Sequence, residues 1–381
     1  MNYIARLLPV AQQLKRRSVL LLGPRRTGKS SLIRNEIRAD RVFNLLQVDT
    51  YRDIISRPSL IRESAKRGDL IVIDEIQKLP NLMDEVHLMI EEYGVRFLLT
   101  GSSARKLRRT HTSLMAGRAK TLHLMPFSHA ELSHFDLSRR LAFGSLPPVW
   151  LSEEPWDELS TYVGEYLRDE IQAEALSRNI EGFSRFLTHA AATNTEIINF
   201  ESVASDAQVP ARTVREYYSV LVDTLLGTLL EPLAKKKGNT RKAVAKSKFY
   251  FFDTGVANAI LRRKILPEAS NEFGKAFEHF IFQELFTYRC YKKTDGTLNF
   301  WAIHQGPEVD FVLDGEIAVE VKATQLASEK HFRGLMAFAD EHKLKRLIVV
   351  SRDQRYRKVG KIEVYPFAHF LNDLWNDKIW K

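Results

Sequence analysis

One eight-residue segment combines the residue types that bind the phosphates of a nucleotide. Residues 23–30 read GPRRTGKS, which satisfies the pattern G-x-x-x-x-G-K-[ST], and the apolar run SVLLLG leads directly into them. Glycines let backbone N–H groups turn inwards around phosphates, the lysine reaches the β and γ oxygens, and the serine hydroxyl can ligate Mg²⁺. The predicted nucleotide-binding residues are Gly23, Pro24, Arg25, Arg26, Thr27, Gly28, Lys29, Ser30 and Ser31.

Two adjacent carboxylates end another apolar run, in the segment LIVIDEIQKLP. At the end of a strand, Asp74 can hold the hydration shell of Mg²⁺, and Glu75 can polarise an attacking water. A helix cap is the alternative for such an acid pair. With the phosphate loop upstream, the pair predicts hydrolysis of ATP, in which Lys29 and Glu75 are catalytic and Ser30 and Asp74 serve the metal.

A third group of charged residues lies in a segment that reads as a β-hairpin, VDFVLDGEIAVEVKA. Its apolar alternation fixes the register, since a shift by one residue would turn every side chain to the wrong face. A three-residue loop at 314–316 then places Asp310 directly across from Glu320, where two carboxylates repel each other. A divalent cation removes this repulsion, and Lys322 on the same face could orient or deprotonate a water. The pattern predicts a metal site with Asp310, Glu320 and Lys322 as catalytic residues.

The elements expected to position the first two groups are those of an α/β domain. Short apolar runs alternate with helical stretches, at residues 18–23, 43–49, 70–74, 96–101 and 121–127. Continuous rather than alternating apolarity is typical of strands in a parallel sheet that is covered on both faces. The first third of the chain is therefore predicted to be a doubly wound α/β domain.

Four segments of this region resemble a known family: GPRRTGKS, LIVIDEIQKLP, LLTGSSARKL and LMAGRAKTLHLMPFSHAEL. They are similar to the P-loop AAA+ ATPase domain of a large, mostly uncharacterised family of bacterial and archaeal ATPases. The resemblance implies ATP and Mg²⁺ as cofactors, Ser102 as the sensor of the γ-phosphate, and Arg118 as an arginine that reaches a phosphate in a neighbouring subunit. It therefore also implies a ring or another oligomer. The alternatives to Arg118 are Arg105, Arg108 and Arg109.

A pair of helices is predicted in the middle of the chain, within FESVASDAQVPARTVREYYSVLVDTLLG. Small and apolar residues repeat on one face of each helix, and Val209 and Pro210 make the turn, which is the helix-turn-helix pattern. Arg212 and Arg215 fall on the exposed face of the second helix, where they could touch phosphates or base edges. A helix bundle that binds nothing is the alternative.

The net charge of +10 is unevenly spread, because residues 233–248, LAKKKGNTRKAVAKSK, hold seven basic residues and no acid. Such a run favours a polyanion as partner, with a solvated loop as the alternative. The run would lie where a winged-helix fold has its wing, and the family resemblance implies a winged-helix-like segment here. The residues predicted to bind DNA are Arg212, Arg215, Lys235, Lys236, Lys237, Arg241 and Lys242.

The hairpin resembles the PD-(D/E)XK nuclease motif, with VD supplying Asp310 and EVK supplying Glu320 and Lys322. In that fold a glutamate on a preceding helix completes the site, and FGKAFEHFIFQEL offers Glu278, with Glu284 as its rival. The resemblance implies an α/β nuclease-like domain whose metal ligands are Glu278, Asp310 and Glu320. A degenerate nuclease fold that grips DNA or another subunit without cutting it is the alternative.

Length and composition fit a soluble protein of several domains. The 381 residues and their 44% apolar fraction can fill the cores of two or three domains. No run approaches the roughly 18 apolar residues of a membrane span, no secretory signal is visible, and the single Cys290 cannot form an internal disulfide. We therefore expect a cytoplasmic protein without a membrane partner. The expected domains are an AAA+ ATP-binding domain at 1–145, a helical, winged-helix-like domain at 146–265 and a PD-(D/E)XK nuclease-like domain at 266–381.

Together these features predict an ATP-hydrolysing AAA+ protein that acts on DNA. The predicted action is remodelling, translocation or unwinding of branched or duplex DNA, and Mg²⁺-dependent cleavage is left open. One alternative is a nucleotide-switched DNA-binding or regulatory protein with an inactive nuclease fold. Another is an ATPase that remodels a polypeptide.

Overall fold

The computed structural model describes residues 3–103, 117–166, 179–234 and 246–381. The chain divides into two compact units, Met1–Phe127 with Asp223–Leu226 and Ser128–Val222 with Gly227–Lys381. The domain boundaries expected near 145 and 265 stay a prediction. Several residues named above lie outside the described residues: Arg105, Arg108, Arg109, Lys235, Lys236, Lys237, Arg241 and Lys242.

The first unit is built on a five-stranded sheet. Its strands are β1 (Ser18–Leu22), β2 (Arg41–Asn44), β3 (Leu70–Asp74), β4 (Arg96–Gly101) and β5 (Ala119–His123). They are arranged in the order β2-β3-β4-β1-β5, and every neighbouring pair is parallel. The helices between them are α1 (Val10–Leu14), α2 (Lys29–Glu36), α3 (Val48–Ser56), α4 (Leu60–Ser64) and α5 (Leu82–Tyr93). The predicted parallel α/β sheet is confirmed.

The apolar runs of this unit form its core. All five residues of β1 are buried, and Ile71 and Ile73 of β3 belong to one cluster with Val86 and Met89 of α5. Strands that are covered by helices need apolar side chains on successive residues, which explains the continuous runs. At about 25 cal/mol per Å², the burial of such a side chain stabilises the fold by about 1.5–3 kcal/mol.

The second strand is shorter than its apolar run predicts. The run 43–49 suggests one strand, but β2 ends at Asn44 and α3 begins at Val48. The side chain of Asn44 accepts a hydrogen bond from the backbone N–H of Leu46 at 2.9 Å, and such a local turn competes with strand pairing. The strand assignment beyond Asn44 was therefore wrong, and so was the assignment beyond His123 in the run 121–127, where β5 ends.

The second unit begins with helices and a two-stranded sheet. The helices are α6 (Leu137–Phe143), α7 (Pro147–Leu151), α8 (Pro155–Thr161), α9 (Ile180–Ala192), α10 (Phe200–Ala207), α11 (Ala211–Asp223) and α12 (Thr254–Ile260). The strands β6 (Gly227–Leu230) and β7 (Lys248–Phe251) are antiparallel, and Ile197 forms a bridge with Lys248. The predicted helix pair is confirmed as α10 and α11, and Gln208 in the turn is left-handed, with φ 53°.

A six-stranded mixed sheet forms the rest of the second unit. Its helices are α13 (Asn271–Tyr291), α14 (Arg333–Ala339) and α15 (Phe367–Trp375). Its strands are β8 (Leu298–Ala302), β9 (Glu308–Leu313), β10 (Ile317–Lys322), β11 (Arg346–Ser351), β12 (Arg357–Val359) and β13 (Ile362–Pro366). The order is β12-β13-β11-β10-β9-β8, with β8, β9 and β10 antiparallel and β10, β11 and β13 parallel.

The hairpin of β9 and β10 has the predicted register. Leu313 pairs with Ile317 and Phe311 with Val319, so the loop between the strands is 314–316. Gly315 has a φ of 68°, a backbone conformation that glycine adopts without steric cost. Continuing this register brings Asp310 opposite Glu320, as the apolar alternation required.

Within the described parts of the chain, no helix has the length and apolar character needed to cross a membrane.

Candidate nucleotide site and carboxylate centre

The phosphate loop joins the end of β1 to the first turn of α2. Its backbone is left-handed at Arg26 (φ 63°) and at Gly28 (φ 95°), the residue before α2. A Cβ atom at Gly23 would lie 2.5 Å from the carbonyl oxygen of Leu124, so a side chain does not fit there. Glycine is therefore favoured at the two positions for different reasons. At Gly23 another backbone segment approaches too closely for a side chain, and at Gly28 the backbone is left-handed.

Lys29 is folded back over this loop. Its buried ammonium group donates hydrogen bonds to the carbonyl oxygens of Gly23 at 2.8 Å and Pro24 at 3.1 Å. An ammonium group needs such partners when it is buried, and the phosphate oxygens of a nucleotide are stronger, charged acceptors. The residue is thus at the mouth of the loop and can exchange one set of acceptors for the other.

Arg6 forms hydrogen bonds with the phosphate loop and a neighbouring segment, although no sequence motif predicts these contacts. Its guanidinium donates to the carbonyl oxygens of Thr27 at 2.8 Å and Met125 at 2.6 Å, and it lies over the ring of Phe127. Because all three contacts are distant in sequence from Arg6 or use backbone atoms, residue spacing could not reveal them.

Ser30 and Asp74 lie together at the carboxyl edge of the sheet. The Ser30 hydroxyl donates to the Asp74 carboxylate at 3.0 Å. Thr100 of β4 donates to the other oxygen of Asp74 and accepts a hydrogen bond from the backbone N–H of Glu75 at 3.1 Å. Mg²⁺ bound to a nucleotide takes hydroxyl and carboxylate oxygens as ligands beside the phosphate oxygens. The side chains of Ser30 and Asp74 therefore fit that ion.

Glu75 is held by two polar side chains. Its backbone is left-handed, with φ 63°, and its carboxylate accepts hydrogen bonds from the amide of Gln77 and from the Ser102 hydroxyl, the latter at 3.3 Å. Gln77 also donates to the Ser102 oxygen at 3.1 Å. A Cβ atom at Gly101 would lie 2.8 Å from the Gln77 side-chain oxygen, so a larger residue there would displace the Gln77 side chain. Ser102 was predicted in this place, whereas Gln77 was missed.

Arg118 is remote from the phosphate loop of its own chain. It precedes Ala119, which pairs with Ser18 at the start of β1, whereas the loop follows Leu22 at the end of that strand. Four residues of strand at about 3.3 Å each separate the two edges by about 13 Å. In this chain Arg118 is paired with Glu91. Any contact with a phosphate would therefore be made in another subunit, and this role stays a prediction.

The described residues predicted to bind DNA are exposed on α11. Arg212 is 91% exposed and is paired with Glu216 at 3.4 Å, while Arg215 lies over the ring of Phe200. The opposite face of α11 is buried through Val214 and Tyr217.

In the second unit, four acids lie together in what we call the carboxylate centre: Glu278, Glu308, Asp310 and Glu320. Lys322 lies 2.5 Å from Glu320 and 3.8 Å from Asp310. Asp310 also accepts a hydrogen bond from the backbone N–H of Val321 at 2.8 Å. The structure brings together all four predicted residues of this site, namely Glu278, Asp310, Glu320 and Lys322.

The rival glutamate on α13 lies elsewhere. Glu284 is buried against Arg140 at 3.4 Å, and it accepts hydrogen bonds from the Trp375 indole at 2.8 Å and from the His129 backbone at 2.9 Å. Glu278 instead accepts a hydrogen bond from the Tyr250 hydroxyl at 2.7 Å. Glu284 therefore has a structural role in the packing of the unit.

A second lysine, which was not predicted here, enters the carboxylate centre from β7. The ammonium of Lys248 is 3.2 Å from Glu278, 3.9 Å from Asp310 and paired with Glu308. In the sequence it is only the last cation of the basic run, and the strand that carries it lies 30 residues before Glu278. Only the tertiary fold shows that it faces acids rather than solvent.

Burial and mutual repulsion dominate the electrostatics of these acids. Burial raises the pKa of Glu320 to about 8, with a further contribution from Asp310 and opposition from Lys322. Burial likewise raises the pKa of Glu278 to about 7, against the attraction of Lys248. Burial disfavours the charge on Lys248 itself, but the acids around it outweigh this effect and raise its pKa above the ordinary value.

The carboxylate centre does not fit a resident Mg²⁺ ion as its side chains are arranged. Its oxygen atoms are of the right chemical type. However, the described residues include no group of three or more acidic, histidine or cysteine side chains that could hold a metal. The ammonium of Lys248 lies among the same acids. Metal binding by Glu278, Asp310 and Glu320 stays a prediction, and it would require Lys248 to leave.

Comparison with known families divides the chain into three matched segments. Residues 15–133 match a family described as an AAA domain, 134–265 a domain of unknown function (DUF8612), and 273–370 a domain of unknown function (DUF4143). The parallel sheet, the phosphate loop after β1 and the first match together support an N-terminal ATPase domain of the AAA type.

Relatives from distant organisms cover most of the chain. An uncharacterized protein of Mycobacterium tuberculosis is 24% identical over 306 residues, which cover 78% of this chain and 67% of the relative. An uncharacterized protein of Haemophilus influenzae is 22% identical over 391 residues, which cover 92% and 93%. Among solved structures, the Aeropyrum pernix ORC1 protein in complex with DNA aligns with 69% of this chain and 95% of its own, at 12% identity and a TM-score of 0.30. That score is too low to support an argument about fold or function.

Proposed function

We propose that this protein is an ATPase of the AAA type that acts on DNA. The observation that carries the proposal is the meeting of Ser30, Asp74 and Glu75 at the edge of the sheet where the phosphate loop begins. The Ser30 hydroxyl donates a hydrogen bond to Asp74, and the Glu75 backbone N–H donates one to the Thr100 hydroxyl. The Thr100 hydroxyl in turn donates a hydrogen bond to Asp74. These are the groups that nucleotide hydrolysis needs, in one place.

Each residue has a task that its position suits. The ammonium of Lys29 would exchange the carbonyl oxygens of the loop for the β and γ phosphate oxygens. Ser30 and Asp74 would hold Mg²⁺, which when bound neutralises charge on the phosphates. The carboxylate of Glu75 would orient the attacking water and accept its proton, while Gln77 and Ser102 hold that carboxylate in place.

Action on DNA is supported by the middle of the chain. The helix pair α10 and α11, the antiparallel strands β6 and β7 and the bridge at Ile197 follow one another as in a winged-helix fold. The face of α11 with Arg212 and Arg215 is exposed, and an exposed ion pair such as that of Arg212 with Glu216 contributes little, so the arginine can turn to a phosphate. The basic residues of the run 233–248, apart from the buried Lys248, add the charge that a polyanion requires.

Self-association is part of the proposal. Arg118 lies at the sheet edge remote from its own phosphate loop, so an active role for it requires a second subunit whose loop it reaches. A head-to-tail arrangement of this kind closes into a ring when its rotation permits.

Cutting of DNA is not part of the proposed activity, because Lys248 lies among the acids that a nuclease would use for its metal. The C-terminal fold would instead bind DNA or pack against other parts of the protein. This favours, as a second candidate, a nucleotide-switched DNA-binding protein, in which slow turnover of ATP regulates affinity for DNA.

The test is ATP turnover with Mg²⁺, measured alone and with single-stranded, duplex, forked and four-way-junction DNA, while DNA strands are followed on a denaturing gel. We expect stimulation by one DNA form, with binding that weakens steeply as salt rises, since phosphate contacts release counterions. Nucleotide-dependent DNA affinity without stimulated turnover would favour the switched binding protein. Absence of DNA binding at low salt would contradict action on DNA and favour a polypeptide partner.

A further inference from the structure

The carboxylate centre is occupied by a lysine from another element of the second unit. Lys248 opens β7, which pairs with β6 and lies before the C-terminal sheet in sequence. Its side chain is 3% exposed, a degree of burial that a lysine adopts only when it is paired. Here it is paired with Glu278, Glu308 and, at 3.9 Å, Asp310.

A second residue of β7 turns to the same acids. Tyr250 lies two residues after Lys248, on the same face of the strand, and its hydroxyl donates to Glu278 at 2.7 Å. The ring of Phe300 covers the ammonium group from 5.5 Å. Strand β7 thus supplies a cation and a hydrogen-bond donor, and β8 supplies an apolar cover, which together suit a charge that stays in place.

The charges explain why a cation is needed at this position. Four carboxylates lie together, and Lys322 neutralises only the part formed by Glu320 and Asp310. Without Lys248, the partly buried Glu278 and the half-exposed Glu308 would lie beside Asp310 with no ammonium group of a described side chain within ion-pair distance of either. Uncompensated buried carboxylates are strongly unfavourable, and either an ammonium group or a divalent metal ion can relieve them.

We propose that Lys248 is a built-in cation that takes the place of a divalent metal ion in the carboxylate centre, so that the native chain binds neither Mg²⁺ nor Mn²⁺ there. The ion pairs of Lys248 in the carboxylate centre then hold β7 against the C-terminal sheet and α13. Removal of the ammonium group should let Glu278, Asp310 and Glu320, which form no metal-binding group as they stand, close around a metal ion. One oxygen of Glu320 accepts no hydrogen bond from the described residues, so it is available to a metal. The inference concerns a different site from that of ATP.

The experiment is a titration of the full chain with Mn²⁺, without nucleotide, by calorimetry and by the electron paramagnetic resonance signal of free Mn²⁺. The variants are Lys248→Met and, because the single change leaves one more carboxylate without a cation, Lys248→Met with Glu308→Gln. Each is compared with the same chain carrying Asp310→Asn. The matched control is Lys246→Met, since Lys246 lies two residues away and is 3.9 Å from Glu201, outside the carboxylate centre. Circular dichroism in metal-free buffer checks that each variant is folded.

The native chain should give the same Mn²⁺ titration with and without Asp310→Asn, and Lys246→Met should not change it. The double variant should bind one Mn²⁺ more than the native chain. The affinity of the carboxylate centre for Mn²⁺ should be at least about tenfold higher than in the native chain, since ligand charge sets the affinity of such sites. The additional binding should be lost with Asp310→Asn. Mn²⁺ should raise the melting temperature of the double variant, and this rise should also be lost with Asp310→Asn. Native binding of one Mn²⁺ that Asp310→Asn abolishes would overturn the proposal. A folded double variant without additional binding would overturn it too. ATP turnover without DNA should be unchanged by Lys248→Met and by Lys248→Met with Glu308→Gln, which separates this result from the ATPase proposal.

Discussion

The side chain of Gln77 donates a hydrogen bond to the hydroxyl oxygen of Ser102 at 3.1 Å, and its amide also reaches the carboxylate of Glu75. Gln77 follows β3 by three residues and Ser102 directly follows the adjacent strand β4, so their hydrogen bond holds Glu75, the glutamate proposed to orient the water, against the sheet. Gln77 is thus a positioning residue for the proposed hydrolysis.

Gln77→Ala should reduce kcat for ATP by about 10- to 100-fold, because a reacting group misplaced by about 1 Å loses that much. KM for ATP should change little, since Gln77 is not among the predicted phosphate ligands. Steady-state turnover over a range of ATP concentrations separates the two parameters. Gln77→Ala with kcat unchanged would show that Ser102 alone suffices to hold Glu75.

Arg118→Ala should lower turnover while ATP binding is retained, if Arg118 acts, as proposed, at the site of a neighbouring subunit. A mixture with Lys29→Ala, which keeps Arg118 but loses the phosphate contact, should recover activity. In a randomly mixed head-to-tail ring, about a quarter of the sites would have both groups. Turnover of the mixture is compared with that of each variant alone. A mixture no more active than its components would exclude this role for Arg118.

Arg212→Ala with Arg215→Ala should weaken DNA binding similarly across sequences if both arginines contact phosphates. The slope of log K against log salt should fall by about one for each lost contact. Fluorescence anisotropy at several salt concentrations gives both quantities, and Arg52→Ala with Arg57→Ala, two exposed and ion-paired arginines of the first unit, is the matched control. An unchanged slope would remove α11 from the DNA interface.

Glu284→Gln should lower the free energy of unfolding of the second unit by about 3–5 kcal/mol, the usual effect of breaking a buried ion pair. Arg140 would keep its charge while losing the carboxylate 3.4 Å away. Urea denaturation is the measurement, with Glu272→Gln, at the exposed first turn of α13, as the control. Near-native stability would mean that water or another acid compensates Arg140.

Local patterns predicted the residues that the structure brings together at the candidate nucleotide site. The phosphate loop, Asp74 and Glu75 are each defined by a few consecutive residues, and parallel strands bring their carboxyl ends to one edge. Gln77 was within reach of the same reasoning, since it lies two residues after Glu75 in DEIQ. The hairpin register was predictable as well, because its apolar alternation admits one pairing.

Contacts between distant segments were not predictable in this way. Lys248 and Tyr250 look like the end of a basic run and the start of an apolar strand, and nothing local shows that they face Glu278. Arg6 reaches backbone carbonyls, which carry no sequence signal. The end of β2 depended on a turn made by one asparagine side chain, which outweighed the apolar residues that follow it.

Glu75→Gln tests whether Glu75 activates the attacking water in the proposed hydrolysis of ATP. ATP binding, measured by equilibrium titration with Mg²⁺, should remain near the native affinity, because the phosphate loop and Asp74 are intact. Turnover should fall by at least about 100-fold, the smaller end of what a general base contributes. Turnover at the native rate would contradict the account and show that the water is activated by another residue.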